Sequence, residues 1–194
     1  TAVSGGGIYN EDMLLVDNTK VLKNTATQDG GGIYNETVDG ILTTIQGSEI
    51  SNNLMGDNGD GGGLYHQAGS LMLNGNLIHR NGYDGSPGGN GGGIYLNSDT
   101  ASSIDVRNNF IYYNLANEGG GLYNANTNGR LWHNTFFGNF AIDFIGGGLA
   151  SVNGSPDIRN NIVDNNDGYG IYTQNGSPVI KYNNAVRNTL DNIF

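Results

Sequence analysis

The sequence contains no cysteine, only three prolines and one tryptophan, and eight basic residues against 18 acidic ones. Without cysteine, no disulfide framework can hold the chain together. The net charge of −10 disfavours a nucleic-acid partner, because phosphate binding needs a basic surface. No uninterrupted run of about 18 apolar residues is present, so no membrane-spanning helix is predicted.

Glycine is abundant instead, with 34 residues, while charged residues make up only 13% of the chain. Glycine and asparagine are poor helix formers, which disfavours a helical core. The low charge and the regular recurrence of aliphatic residues and tyrosine argue against disorder. The composition therefore predicts a folded, turn-rich all-β protein.

A glycine motif recurs seven times, as in Gly-Gly-Gly-Ile-Tyr at residues 5–9 and again at residues 30–34. Copies begin at residues 5, 30, 61, 91, 119, 146 and 168. The fourth position is always aliphatic, so it is predicted to face a core, and strand alternation then turns the following tyrosine outward. The glycines are predicted to form a corner at which neighbouring segments approach closely.

A second motif alternates with the first and consists of an apolar residue, two variable residues and asparagine, as in residues 136–139. The apolar positions are predicted to lie inside, and the asparagines to close the next turn and form a ladder from coil to coil. The predicted inside positions are Val21, Ile50, Ile78, Ile111, Phe136, Ile162 and Ala185. The predicted ladder consists of Asn24, Asn53, Asn81, Asn114, Asn139, Asn165 and Asn188.

The repeat period decides between architectures. Propeller blades need about 40–45 residues, and helical repeats need roughly 33 or more residues with good helix formers. Steps of 22 to 31 residues between the glycine motifs fit β-solenoid coils with variable corners instead. The sequence therefore predicts one all-β solenoid domain of about seven coils over residues 1–194.

The alternating motifs, such as those at residues 5–8 and 136–139, resemble right-handed parallel β-helix repeat proteins. The resemblance is to the non-enzymatic, secreted and adhesin-type branch of the pectate-lyase-like superfamily, and it covers essentially the whole chain. It implies a single-stranded right-handed parallel β-helix. It implies little about function, since the same coil occurs in lyases, hydrolases, epimerases, adhesins and filament subunits.

Residues at one phase of the repeat are expected to form columns with a spacing of about 4.8 Å. The first column is an aromatic strip of Tyr9, Tyr34, Tyr65, Tyr95, Tyr123 and Tyr172. This strip could stack on sugars or on another subunit. The simpler interpretation is a self-stacking ladder that stiffens the solenoid.

A second column lies directly before the glycines and consists of Ser4, Asp29, Asp60, Asn90, Glu118, Ile145 and Asp167. Asp29 and Asp60 are expected to be neighbours, and paired carboxylates are candidate ligands for Ca²⁺. A solvated acidic corner explains the column more simply. Calcium is the one cofactor considered, and the three histidines lack the spacing of a metal site.

A third column is predicted to be basic and to contain Arg107, His133, Arg159 and Lys181. A polysaccharide lyase would use arginine or lysine as the base beside a uronate carboxylate. Arg107, Arg159 and Lys181 are therefore the catalytic candidates. One residue type repeated along a face does not converge on a cleft, however, and a charged outer face is the simpler interpretation.

The function expected from these patterns is structural: an extracellular or cell-surface adhesin, surface-layer protein or filament subunit. The alternatives are a polysaccharide lyase or hydrolase of the pectate-lyase type and a carbohydrate-binding module that uses the tyrosine strip. A non-enzymatic role is favoured, polysaccharide is the external partner considered, and neither a nucleic acid nor a membrane span is expected.

The two ends of the chain are expected to stack on those of other copies. Joining Asn188 of one copy to Gly5 of the next gives a connection of ten residues, made of residues 189–194 and 1–4. That length is close to the longest internal connection, so coils of successive copies would continue in phase and form a filament. The alternative is that the chain is a segment of a longer solenoid.

Overall fold

The computed structural model describes residues 2–38, 40–82, 89–98 and 102–194, and these residues form short β-strands without any helix. In chain order the strands are β1 Ile8–Asn10, β2 Leu14–Asp17, β3 Lys20–Leu22, β4 Ile33–Glu36, β5 Leu42–Gln46, β6 Glu49–Ser51, β7 Leu64–Ala68, β8 Ser70–Asn74, β9 Leu77–His79, β10 Ile94–Leu96, β11 Ile104–Arg107, β12 Phe110–Tyr112, β13 Leu115–Ala116, β14 Leu122–Asn124, β15 Arg130–Trp132, β16 Thr135–Phe137, β17 Phe140–Ala141, β18 Leu149–Val152, β19 Asp157–Arg159, β20 Ile162–Asp164, β21 Ile171–Gln174, β22 Val179–Lys181 and β23 Asn184–Val186.

Three parallel sheets of seven strands each run the length of the described chain. Sheet 1 has the order β1-β4-β7-β10-β14-β18-β21, sheet 2 has β2-β5-β8-β11-β15-β19-β22, and sheet 3 has β3-β6-β9-β12-β16-β20-β23. Each coil contributes one strand to each sheet, and a small fourth sheet pairs β13 with β17. The predicted parallel β-solenoid is therefore confirmed.

The core lies between the three sheets and is built from stacked aliphatic columns. In sheet 1 the residue after the glycines is fully buried from Ile33 through Ile171, and Ile8 in the first coil is half-buried. Strand alternation explains the pattern, because inward-facing residues alternate with outward-facing ones, as with Leu71 and Leu73 on either side of Met72 in β8. Among the described residues, Phe136 is the one aromatic side chain that is fully buried in this core.

The glycine corner is explained by close backbone approach. A side chain at Gly31 would place its Cβ 2.4 Å from the carbonyl oxygen of Leu54 and 2.6 Å from that of Gly62. Gly30, just before it, has a φ of 64°, in the left-handed region that favours glycine. The recurring glycine triplet thus combines a left-handed turn at Gly30 with close backbone contact at Gly31.

The corner between sheets 2 and 3 always contains two residues, such as residues 75–76 between β8 and β9 or 133–134 between β15 and β16. The first of the two residues has a positive φ in each coil; the values run from 45° at Asn18 to 69° at Gly75. This left-handed residue turns the chain from sheet 2 into sheet 3, and the second residue is buried in the second to sixth coils, from Ser48 to Asn161. The constancy of this corner aligns sheets 2 and 3 in every coil.

Residues 191–194 already begin a further coil. Ile193 forms a parallel bridge with Ile171, and the amide of Ile171 donates to the carbonyl of Asn192 at 3.0 Å. The ring of Phe194 stacks on Tyr172 with a centroid distance of 5.2 Å. This stretch, predicted to be part of a connection between stacked copies, is paired along the outer edge of β21 in the single chain, and end-to-end stacking stays a prediction.

Candidate functional site

The asparagine motif forms a hydrogen-bonded ladder at the corner that leaves sheet 3. Asn81 is representative: its Nδ2 donates to Asn114 Oδ1 at 3.0 Å and to the carbonyl of Ile50 at 2.9 Å. Its backbone amide donates to the same Asn114 Oδ1 at 3.0 Å. The side chain and the backbone amide of one buried asparagine thus bond to both neighbouring coils, and its polar groups are satisfied as burial requires. The members are Asn24, Asn53, Asn81, Asn114, Asn139, Asn166 and Asn188.

The sequence assignment of the sixth coil is wrong by one residue. Asn139 donates to Asn166 Oδ1 at 3.0 Å, whereas Asn165, the predicted member, adopts a φ of 57° before it. The register explains the shift, because Phe136 pairs with Val163 in sheet 3. Val163 is fully buried and the predicted inside residue Ile162 is 46% exposed. Ile162 and Val163 are adjacent apolar residues, and Asn165 and Asn166 are adjacent asparagines, so both registers fit the motif.

The residue before each ladder asparagine, rather than the asparagine itself, takes the left-handed conformation. Arg80, Tyr113 and Arg187 occupy this position with φ values near 54°. Such values are unusual for residues with large side chains. The ladder bonds of the next residue compensate for this local strain.

A second asparagine ladder, which the motif analysis missed, runs along the corner between sheets 2 and 3. Asn109 donates from Nδ2 to Asn134 Oδ1 at 3.0 Å and to the carbonyl of Leu73 at 2.9 Å. The sequence signal is an asparagine two residues after each strand of sheet 2, which was visible from the third coil onward. The members are Ser48, Asn76, Asn109, Asn134, Asn161 and Asn183.

The tyrosine strip is a continuous stack along sheet 1. Centroid distances between Tyr9, Tyr34, Tyr65, Tyr95 and Tyr123 lie between 5.0 and 5.5 Å, with nearly parallel rings. Ala150 interrupts the stack, and Tyr172 continues it against Phe194. The ring faces are turned towards each other, so within the stack they are not free to receive a sugar.

The tyrosines are less exposed than strand alternation alone predicts. Tyr9 at the end is 52% exposed, but Tyr34, Tyr65 and Tyr123 are each only 8% exposed. The hydroxyl of Tyr34 donates to Glu36 Oε2 at 3.0 Å. Burial, together with nearby carboxylates, raises the pKa of Tyr65 and of Tyr123 to about 12. The stack is therefore a second, outer layer of packing on sheet 1.

Asp29 and Asp60 are neighbours in the acidic column, and their carboxylates bond to the backbone of the next coil. Asp167, a predicted member, lies outside this column, because it pairs with Phe140. Asp29 Oδ1 accepts the amide of Asp60 at 2.8 Å, and Asp60 Oδ1 accepts the amide of Asn90 at 2.6 Å. Burial raises the pKa of Asp60 to about 6 in spite of the bond from Asn90. Within the described ranges, no group of three or more histidines and carboxylates is placed to hold a metal ion. Calcium at Asp29 and Asp60 stays a prediction that these contacts do not strengthen.

The basic column lies on the outer face of sheet 2, but its composition differs from the prediction. The register pairs Arg107 with Trp132, Trp132 with Arg159, and Arg159 with Lys181. His133, the predicted member, occupies the left-handed corner position with a φ of 56°. An arginine missed by the prediction, Arg130, lies in the adjacent column on the same face.

An exposed aromatic cluster on the outer face of sheet 3 was not anticipated. Phe110 and Tyr112 stack with centroids 4.3 Å apart, and Tyr113 makes edge contacts with Tyr112 and Phe137 at 5.7 Å. Tyr113 is 49% exposed. The signal was the aromatic content of the segment Phe110–Tyr113, which the motif assigned only to the core and the turn.

A buried histidine, His66, lies in β7 of sheet 1. His66 is fully buried, its Nδ1 accepts a hydrogen bond from Asn35 Nδ2 at 2.9 Å, and its Nε2 donates to the carbonyl of Gly69 at 3.0 Å. Burial lowers the pKa of His66 to about 4. Asn35 begins an Asn-x-Thr sequence, and its amide is committed to this network rather than to solvent.

No helix in the described part of the chain is long and apolar enough to span a bilayer. No curated protein and no solved structure gives a match to the sequence. A family model described as the right-handed beta helix region matches residues 4–157 and 88–193, and together these segments cover nearly the whole chain. With its three parallel sheets and stacked coils, this chain belongs to the right-handed beta helix family.

Proposed function

We propose that this chain is a structural β-solenoid that acts outside the cell or at the cell surface, in an adhesin, a surface layer or a filament. The observation that carries the proposal is the pair of asparagine ladders. The first bonds each coil to the next by amide groups from Asn24 to Asn188, and the second does so from Asn76 to Asn183. The tyrosine stack adds a third coil-to-coil connection on the outside.

This use of repeated side chains favours a mechanical role. A reaction site needs different groups that converge on one atom. Here the recurring residue types contact their own counterparts one coil away, and their polar atoms are used in those contacts. Such contacts between coils build a rod that keeps its shape under mechanical load.

The surface of the rod also favours interaction with other molecules. The aromatic cluster of Phe110, Tyr112, Tyr113 and Phe137 is partly exposed on a flat sheet face. Exposed apolar patches on soluble proteins commonly mark interaction sites. An adhesin or assembly subunit would use such a side face for contact.

The alternative is a polysaccharide lyase or hydrolase, or a carbohydrate-binding module. Arg107, Arg159 and Lys181 lie in one row of sheet 2, each on a different coil, and the two arginines already pair with Asp105 and Asp157. Uronate-containing polysaccharides incubated with the protein and Ca²⁺ would test this alternative by the absorbance of unsaturated products. Steady product formation that is lost in Arg159→Gln would overturn the structural proposal.

End-to-end association with other copies is part of the proposal, but the junction between copies differs from the one predicted from the sequence. Docking in the predicted phase would place β1 of one copy at the edge of β21, where Asn192 and Phe194 of the other copy already pair. Self-association in this phase therefore requires residues 191–194 to leave β21. Thr1, part of the predicted junction, lies outside the described residues.

Electron microscopy of the purified chain at rising concentration tests the structural role, and immunolabelling of intact source cells tests the location. Rods or fibres together with label on unpermeabilised cells are expected. Label only after permeabilisation would contradict an exterior role. Deletion of residues 191–194 should increase end-to-end association, and an unchanged monomer would remove the filament from the proposal.

A further inference from the structure

The outer face of sheet 3 is apolar in the middle of the solenoid. In its first outer row Leu77, Phe110 and Ile162 are 45%, 38% and 46% exposed. The register places aromatic residues beside them in the second outer row. We call the following residues, which occupy the third to sixth coils, the apolar patch: Leu77, Phe110, Tyr112, Thr135, Phe137 and Ile162.

The outer faces of the other two sheets are already used or charged in these coils. On sheet 1 the tyrosine rings contact one another, and on sheet 2 Arg107 and Arg159 form ion pairs with aspartates. The apolar patch is therefore the place where apolar side chains of successive strands reach solvent together. Contiguous exposed apolar residues on a soluble protein mark an interaction site.

Charged residues lie on the same face at both ends of the apolar patch. In the first two coils Lys20 pairs with Glu49 at 3.5 Å, and in the last two Arg187 pairs with Asp164, its Nε donating to Asp164 Oδ1 at 2.8 Å. The carboxylate of Glu49 also lies 3.3 Å from Nε2 of His79, in the second outer row. The Glu49 carboxylate and the Arg187 guanidinium therefore both reach this second row, one at each end of the patch.

We propose that the apolar patch binds a second copy of this chain, packed face to face with its solenoid axis antiparallel; this inference rests on the proposed structural function. A two-fold axis along the strand direction, midway between β12 and β16, divides the patch into equal halves. It sets the third coil of one copy against the sixth coil of the other, so that Leu77 lies opposite Ile162. It also sets Tyr112 opposite Phe137, and every such contact occurs twice, as in isologous dimers.

The charges at the two ends select this arrangement. The same two-fold axis sets the second coil against the seventh, so that Glu49 of each copy lies opposite Arg187 of the other. A parallel pair would set Glu49 against Glu49 and Arg187 against Arg187, and an antiparallel pair centred on β12 would set Glu49 against Asp164. Like charges in contact oppose association. The register that centres the apolar patch is therefore also the one that brings unlike charges together.

The size of the contact fits lateral pairing of rods. From the second to the seventh coil the contact is roughly 24 Å long and one short strand wide, less than the area of about 800 Å² per partner in a standard interface. A single pair is therefore weak in solution, and the contact gains strength where rods already lie side by side. Because an isologous contact closes after two copies, it joins rods in pairs.

Cross-linking of the whole chain tests the arrangement, and the absence of cysteine from the sequence makes each introduced thiol unique. Leu77→Cys and Ile162→Cys chains of different mass are mixed at high concentration and treated with a short bis-maleimide, because sheets packed about 10 Å apart are too distant for a disulfide. Mass spectrometry should find the mixed dimer and little product from either variant alone. End-to-end stacking would leave these two positions several strand spacings apart and would give no such product.

Sedimentation equilibrium gives a second readout. Phe110→Glu should raise the dissociation constant of the pair at least about a hundredfold, because symmetry places the new charge in the contact twice. Leu42→Glu makes the same charge change at an exposed residue of sheet 2 and should associate like the parent chain. Circular dichroism and the unfolding midpoint establish that the variants are folded.

Cross-links between like variants, equal losses for Phe110→Glu and Leu42→Glu, or no association of the parent chain at high concentration would each overturn the lateral contact. The structural function is tested separately by the immunolabelling of intact cells. A monomeric chain that is labelled on unpermeabilised cells would therefore refute this pairing and leave the exterior role standing.

Discussion

Sheets 1 and 2 expose the same number of strands to solvent, yet their outer faces are used differently. On sheet 1 one residue type recurs, and Tyr34, Tyr65 and Tyr123 bury most of their surface within the tyrosine stack. On sheet 2 the corresponding row changes from Asp17 to Lys181, and its arginines remain substantially exposed. Repetition along a column therefore indicates cohesion between coils, while variation along a column indicates a surface available for contact.

The largest effect is expected where the backbone itself forms the contact. Gly31→Ala should destabilise the fold by at least about 4 kcal/mol, because its Cβ would lie 2.4 Å from a backbone oxygen that cannot move alone. Gly75→Ala is the matched control, since its Cβ would meet nothing within 4 Å and only its φ of 69° is unfavourable, which costs about 1–2 kcal/mol. Denaturant unfolding measures both, and equal losses would refute close approach as the reason for the triplet.

The second-largest loss of stability is expected for substitutions in the two asparagine ladders. Asn114→Ala removes contacts with Asn81, Asn139 and Ile78 and should cost about 3 kcal/mol, because buried partners are left unpaired. Asn109→Ala in the second ladder should cost the same. Asn126→Ala loses one exposed bond to Asn97 and should cost less than about 0.5 kcal/mol.

The sixth coil allows a stricter test of which asparagine belongs to the ladder. Asn166→Ala should behave like Asn114→Ala, whereas Asn165→Gly should be nearly neutral, because glycine readily adopts its positive φ. The reverse order of the two unfolding midpoints would restore the register expected from the sequence.

The comparison between the two sheet faces predicts unequal losses for two aromatic residues. Tyr65→Ala should cost about 2–3 kcal/mol, since the ring is buried between two others. Trp132→Ala should cost about 1 kcal/mol, because the indole is half-buried on an open face. Tyr65→Phe keeps the stack and should be nearly neutral. A greater loss for Trp132→Ala than for Tyr65→Ala would reverse the distinction between the faces.

The smallest effect is a pH dependence of about 1 kcal/mol in which two buried groups oppose each other. The pKa of His66 falls to about 4 from 6.5, so its contribution to stability is complete above pH 6.5 and is lost as the pH drops towards 4. The pKa of Asp60 rises to about 6 from 3.8, so its burial costs stability as the pH rises through that interval.

Asp60→Asn separates the two groups, because it keeps the oxygen that accepts the amide of Asn90 and cannot ionise. The variant should be slightly more stable than the parent at pH 7.5 and should lose stability more steeply between pH 6 and pH 4. Thermal unfolding across this range measures both slopes. Parallel profiles would show that Asp60 does not titrate in the folded protein.

The repeat alone was sufficient to predict the fold and most of the first ladder, because each motif combines an obligatory glycine or asparagine with an inward aliphatic residue. The repeat failed at Asn165, where two registers fit the sequence motif equally well. Only the pairing of Phe136 with Val163 decides between them. It also misplaced His133, which lies in the corner one position after Trp132, the residue that pairs with Arg107 and Arg159. The alternation of inward and outward residues along a strand does not predict how the outer side chains pack on one another, as in the burial of Tyr65 by its neighbours.

The invariant two-residue corner between sheets 2 and 3 divides the chain into positions with different tolerance to engineering. An inserted residue at 108–109 would break the ladder contact between Asn76 and Asn109, so this corner should reject additions of any length. The connections from sheet 3 back to sheet 1 already differ in length from coil to coil. Foreign peptides grafted there would be displayed on one side of the rod at intervals set by the strand spacing.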